Sequence, residues 1–315
     1  MGSRSRVEIR RGAGIQTEHP MSDPQTDVEY NVRNTVSPAL FDEIIGEYLA
    51  RSASAVRGLR GFTDIYYDPH SQQKLDVWGI SDHPRPVFIA IHGGYWRALS
   101  RHHTAFMART LDAEGIATVT VDYGLAPETT LEEIVRQVRA AVAWVYHHGA
   151  GHGLDPDRIV VGGSSAGGHL TGAVMVPGWQ RALGLPETVV RGAMPISGLF
   201  DLRPLVDSFA NEWLDLDIER AHALSPLLLL DGPGPAAVIA VADRDGAGFL
   251  AQTHRFHDAW AEHSPCTLLV VPDRNHYDIF LDLADSTTAL NRALVDMING
   301  LEEPRPPAGR SGIAE

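Results

Sequence analysis

The sequence predicts an α/β fold built on a mostly parallel, eight-stranded sheet flanked by helices. Three observations carry that expectation. Short runs rich in Val and Ile recur along the chain, as buried strands do. Helical patterns separate the later runs, as crossovers between parallel strands require. The chain is 315 residues long, with 44% hydrophobic and 21% charged residues, which is ordinary for a globular protein and long enough for one large core.

The runs follow in order. FTDIYYD (62–68) and KLDVWGI (74–80) alternate in polarity and lie close together, which suits a hairpin. PVFIAIH (86–92), ATVTVDY (117–123), RIVVGG (158–163), VVRGAMPIS (189–197), AAVIAVA (236–242) and CTLLVV (266–271) follow, separated by helical stretches, which suits a parallel sheet. Between the fourth and fifth runs, Leu131, Ile134, Val135, Val138, Ala141, Val142 and Val145 recur near helical spacing within 128–148. Residues 198–234 are longer than a crossover needs. They are read as a small cap after the sixth strand, placed over a site.

Composition excludes several function classes. With 26 Lys+Arg against 40 Asp+Glu, the formal charge is −14, which disfavours nucleic acid and anionic membrane surfaces as partners. The single Cys266 permits no intramolecular disulfide and no cysteine-rich zinc site. It opens an apolar run and is read as a buried thiol. Residues 1–20 hold Arg4, Arg6, Arg10 and Arg11 without an apolar core, unlike a secretory leader. The expected organisation is a disordered extension over 1–27, one domain over 28–302 and a flexible tail over 303–315. A reducing, cytoplasmic setting fits these features.

The chemistry concentrates at two strand ends. The run IVV leads into Gly163-Ser164-Ser165-Ala166-Gly167 and then a helical pattern. This G-x-S-x-G in strand–turn–helix context is a nucleophile elbow centred on Ser165. Glycine is needed on either side because strand and helix approach closely there. Upstream, PVFIAI ends in His92-Gly93-Gly94-Tyr95-Trp96. Backbone amides over Gly93, Gly94 and Tyr95, with that of Ala166, are the expected oxyanion hole. His92 is read as a loop-fixing residue rather than a base, and His169 as packing.

In such elbows the triad partners follow in the order Ser, Asp/Glu, His. His276 follows the last strand and the loop PDRN, where a base can hang over the strand ends. Asp243 and Asp245 both end the strand AAVIAVA. Asp245 is the leading acid and Asp243 its alternative, while Asp273 and Asp278 flank His276.

Together these residues resemble the kynurenine formamidase (arylformamidase) group of the α/β-hydrolase superfamily, over about residues 28–300. The motifs that carry the resemblance are HGGYW at 92–96, YNVR at 30–33, DYGLAPE at 122–128, SGLFDLRPL at 197–205, SP at 225–226 and NHYDIF at 275–280. At the acid, the group's G-x-x-D pattern reads Ala242-Asp243-Arg244-Asp245. The resemblance implies hydrolysis of N-formyl-L-kynurenine to formate and kynurenine, with no cofactor and no metal. Tyr95 and Trp96 are read as rings on which the aryl group can stack, with Phe200 and Trp213 as weaker candidates whose default is core packing. A carboxylesterase, or another small-amide hydrolase with the same Ser165, His276 and Asp245, is the alternative.

Overall fold

The computed structural model describes residues 22–301. Each apolar run becomes a strand: β1 Gly61–Tyr66, β2 Lys74–Trp78, β3 Arg85–Ile91, β4 Ala117–Val121, β5 Leu154–Ser164, β6 Val190–Ile196, β7 Ala236–Arg244 and β8 Cys266–Asn275. The helices are α1 Pro24–Tyr30, α2 Pro38–Ala55, α3 Ala108–Ala113, α4 Leu131–His148, α5 Ala166–Met175, α6 Asn211–Leu214, α7 Ile218–Ala223, α8 Ala247–Ala261 and α9 Ala289–Asn299.

The strands form one 8-stranded sheet in the order β1-β2-β4-β3-β5-β6-β7-β8. The expected hairpin pairs β1 with β2 antiparallel. β2 also runs antiparallel to β4, and from β4 to β8 every pairing is parallel. Crossover helices are what allow neighbouring strands to point the same way. Their carboxyl ends therefore share one rim, where such sheets place their sites. β3 ends there at Ile91, β5 at Ser164, β7 at Arg244 and β8 at Asn275.

Two apolar layers bury the sheet's faces. On one side Leu131, Ile134 and Val138 of α4, Leu170 of α5, and Phe249, Phe256 and Trp260 of α8 join the core. On the other, Ile44 and Tyr48 of α2, Leu111 of α3, and Leu290, Leu294 and Ile298 of α9 do so. The spacing of those residues is what makes each helix one-sided. No helix among the described residues is long and apolar enough to cross a membrane.

Three expectations need correction. Residues 24–27, assigned to the N-terminal extension, belong to α1. Asp23 caps that helix, and the Asp27 carboxylate accepts from Phe209 N at 2.7 Å, tying it to the body. Residues 1–21 and the tail 303–315 lie outside the described residues. Second, β8 runs through the expected loop PDRN, and Arg244 pairs with Asn275. The Asp243 carboxylate accepts from Arg274 N at 3.2 Å across this extension. Third, residues 198–234, expected as a small cap, begin as part of the core. Leu199, Phe200 and Leu202 are fully buried, and α6 and α7 are short turns on that base.

Candidate active site

The elbow is built by close approach. A Cβ on Gly163 would lie 2.5 Å from the Ile91 carbonyl oxygen, and one on Gly167 would lie 2.2 Å from the same atom. Only hydrogen fits at both positions, so β5, α5 and the end of β3 can meet. The turn between them places Ser165 at φ 61°, ψ −119°, a region that costs an L residue about 1–3 kcal/mol. Ser165 N donates to Ile196 O at 2.9 Å, and His169 N donates to Ser165 O at 3.0 Å. These bonds hold the strained residue between β6 and α5. Ala166 opens α5, and the first amides of a helix have no intrahelical acceptor.

Gly167→Ala would force β3 and α5 apart. The expected result is a lower Tm and a hydrolytic rate reduced by about 10² or more, the scale of a 1 Å misplacement at a reacting centre. Unchanged Tm and unchanged rate would contradict this packing.

The loop after β3 is equally constrained. Gly94 has φ 94°, and a Cβ there would lie 2.4 Å from Ala98 O. Tyr95 and Trp96 follow at φ 50° and 58°. Arg97 N and Ala98 N both donate to Gly94 O, at 3.0 and 3.1 Å, which closes the turn. A Cβ on Gly93 would meet Ser164 O at 2.8 Å and the Ser165 Cβ at 3.4 Å. The Gly-Gly pair therefore brings the loop backbone against the elbow.

Surrounding groups hold that loop from three sides. The Tyr123 hydroxyl donates to His92 O and Gly93 O, at 2.9 and 3.0 Å, and Ala126 N donates to Trp96 O at 2.8 Å. The motif DYGLAPE thus acts as a tether. Trp213 Nε1 donates to Tyr95 O at 3.0 Å, and the Tyr95 hydroxyl donates to Tyr30 O. Burial pushes the Tyr95 phenol well above its usual pKa, so it remains a donor. Trp96 Nε1 donates to His169 Nδ1 at 3.2 Å, and His169 Nε2 donates to Leu224 O at 2.9 Å. One neutral imidazole thereby links the loop, α5 and the 198–234 segment.

His92 stacks on Tyr123 with ring centroids 3.9 Å apart, and its Nδ1–H donates to Gly93 O at 3.0 Å. Burial lowers His92 and His169 to about 4 each, below the usual value of about 6.5. In the unfolded chain both titrate near 6.5, so below that pH the unfolded state binds more protons. Their contribution to stability is complete above about pH 6.5 and is lost as pH falls towards 4. Tm is expected to fall already between pH 6.5 and 5, above the range where most carboxylates titrate. A Tm level down to pH 5 would contradict these assignments.

Asp245 and His276 meet at the far side of the elbow. His276 Nδ1–H donates to Asp245 Oδ1 at 2.8 Å, with the two side chains 3% and 0% exposed. Gly246 N donates to the same oxygen at 2.7 Å. An ionised carboxylate only accepts, so the proton lies on Nδ1 and the Nε2 lone pair is left for a hydroxyl. The Phe249 ring packs against the imidazole, centroids 4.5 Å apart. The alternatives have other partners. Asp243 is exposed and bonded to Arg274 N, Asp273 pairs with Arg244, and Asp278 holds Asn275. In place of the expected loop, the strand end itself presents His276.

Ser165, His276, Gly93, Gly94 and Tyr95 line one cavity of about 100 Å³. Its remaining walls come from Val32, Phe41, Ile45 and Tyr48, from Ala98, Leu99 and Ser164, and from Tyr277 and Phe280. The 198–234 segment contributes nothing to this lining. The cover expected from it is provided instead by the turn at Val32 and by α2. Three expected substrate contacts are corrected with it. Trp96 is fully buried, turned inward by its positive φ onto His169. Phe200 stacks on Phe256, with ring centroids 4.0 Å apart. Trp213 braces the Tyr95 carbonyl under the Arg97 guanidinium. Of the expected aromatic contacts, Tyr95 lines the cavity. The wall from α2 has no local sequence signature; the YNVR motif just before it is the one available signal.

The chain is similar to hydrolases throughout. The BD-FAE family model matches residues 75–183. A kynurenine formamidase of Salmo salar is 30% identical over 82% of this chain and 90% of its own. One from Danio rerio is 28% identical over 88% of this chain and 97% of its own. Among solved structures, a Silicibacter sp. protein superposes with TM-score 0.74 at 26% identity, covering 87% of this chain and 99% of its own. The carboxylesterase EstE1, from a metagenomic library, shares the fold at TM-score 0.67 and 20% identity, over 86% of this chain and 99% of its own. The sheet order, the elbow and these likenesses agree: the chain belongs to the kynurenine formamidase family of α/β-hydrolases.

Proposed function

We propose that this hydrolase cleaves the formamide of N-formyl-L-kynurenine, or of a related aryl formamide, through a formyl-enzyme on Ser165. The observation that carries this reading is the lining of the cavity at Ser165. Around Ser165 and His276 its walls are largely apolar, with Phe41, Tyr95, Tyr277 and Phe280 supplying aromatic rings. Those rings suit the aryl leaving group of such a formamide. The kynurenine formamidases of fish named above support the same substrate class.

The pairing of His276 with Asp245 beside Ser165 supports serine-type hydrolysis. Ser165 Oγ attacks the formyl carbon while His276 Nε2 takes its proton. Asp245 keeps Nδ1 protonated and stabilises the imidazolium. The amides of Gly94, Tyr95 and Ala166, with Gly93 setting the approach, hold the oxyanion. The C–N bond breaks as His276 returns the proton to the aryl nitrogen, whose lone pair is already delocalised into the ring. Water, activated by the same His276, then releases formate. In this reading every catalytic role belongs to a side chain or backbone amide of the chain.

The test compares kcat/KM for N-formyl-L-kynurenine and p-nitrophenyl acetate on the wild-type enzyme. A clear preference for the formamide is expected. Fast ester turnover with negligible formamide cleavage would overturn the formamidase reading. It would favour the carboxylesterase alternative, with the same three residues.

A further inference from the structure

We propose that Arg33 binds the carboxylate at the amino-acid end of the substrate, and so sets the preference for an amino-acid formamide over a neutral one. The inference rests on the formamide reading above and deepens it. Beyond Ser164, Ser165 and His276 the cavity side chains are aliphatic or aromatic, and the Tyr48 hydroxyl is committed to the Tyr277 carbonyl. No side chain of those walls carries a positive charge to pair with a carboxylate.

Arg33 stands at the edge of this apolar wall. It sits in the turn Val32–Thr35, between two residues that line the cavity, Val32 and Phe41. Its guanidinium carbon lies 3.6 Å over the centre of the Phe41 ring. The other side of the arrangement is Tyr277, whose ring meets Phe41 edge-on at 5.0 Å. The Arg33 charge acts on the Tyr277 hydroxyl, opposing the rise that burial causes. Tyr277 directly follows His276, so Phe41 and Tyr277 connect the edge where Arg33 stands to the base.

Two further properties suit a carboxylate. Arg101, Arg136, Arg203, Arg220 and Arg274 are each paired with an Asp or Glu, whereas Arg33 has no such partner among the described residues. In a chain of formal charge −14, a half-buried guanidinium left without a carboxylate is one that a ligand can use. The guanidinium carbon sits close over the Phe41 ring, and a guanidinium can make a two-pronged bond to a carboxylate. An aryl ring placed against Phe41 and Tyr277 would direct its side chain to this edge.

The test uses two formamides on wild type, Arg33→Ala and Arg33→Lys. One is N-formyl-L-kynurenine. The other is N-(2-acetylphenyl)formamide, which keeps the aryl ketone but lacks the ammonium and the carboxylate. For Arg33→Ala, KM for N-formyl-L-kynurenine is expected to rise by about 10–100-fold, the scale of one charged hydrogen-bonded contact, with kcat little changed. The neutral formamide should be cleaved as by wild type, and Arg33→Lys should recover part of the loss. Equal losses on both substrates would overturn the proposal, because they would assign Arg33 to holding Phe41 in place. No loss on either would overturn it too. A wild type that cleaves neither formamide but turns over p-nitrophenyl acetate would defeat the underlying reading, and this inference with it.

Discussion

Replacing Ser165 by alanine is expected to lower kcat for the formamide by up to about 10⁶-fold, the scale seen when a serine hydrolase loses its nucleophile. The substitution removes one oxygen from a residue that is 9% exposed. Its backbone bonds, from Ser165 N to Ile196 O and from His169 N to Ser165 O, remain. Tm should therefore stay close to wild type, and the remaining rate should be what the amides and substrate binding supply alone, about 10³–10⁴ over water. Ser164→Ala, next to it, should retain most of the rate. If Ser165→Ala kept more than about a hundredth of wild-type activity, attack by this hydroxyl would be excluded, since nucleophile loss costs far more than that.

Asp245→Ala is the second large effect, with an expected loss in kcat of about 10⁴, similar to loss of the acid in other triads. Removing the carboxylate frees the imidazole to adopt either tautomer and withdraws the charge that stabilises the imidazolium. Asp245→Asn should behave differently from the usual tautomer-switching case. Both donors, Gly246 N and His276 Nδ1, go to the same oxygen, Oδ1. An asparagine that keeps its carbonyl there still accepts both bonds, so Nδ1 stays protonated and only the charge is lost. Its amide would sit where Oδ2 is buried without a partner, which costs stability. Asp245→Asn should therefore be faster than Asp245→Ala and melt lower than wild type. Asn and Ala variants with equal kcat would contradict this geometry.

The parts of this fold that are legible in the sequence are those set by local physics. Buried strands need Val, Ile and Ala, and each of the runs from 62–68 to 266–271 becomes a strand. The elbow is legible because the crowding at the Ile91 carbonyl admits nothing larger than glycine at 163 and 167. The meeting of His276 with Asp245, at 2.8 Å, is anticipated by their places after strand ends. What escapes is set by contacts between distant segments. Tyr95 reaches Tyr30 across 65 positions, and Tyr48 reaches Tyr277 across 229. No periodicity within α2 says that its Phe41, Ile45 and Tyr48 will wall the cavity. Trp96 and Phe200 are misleading for a related reason. An aromatic beside a site is ambiguous until its backbone angle is known, and a positive φ turns Trp96 into the core.

The central claim is that Ser165 forms the acyl-enzyme during formamide hydrolysis. Its most direct test is to inactivate the enzyme with a fluorophosphonate and locate the modified residue by peptide mapping, while following hydrolysis of N-formyl-L-kynurenine. The expected result is a single label on Ser165, with formamide hydrolysis lost in proportion to labelling. Labelling at Ser164, or a fully labelled Ser165 with formamide hydrolysis intact, would contradict the account.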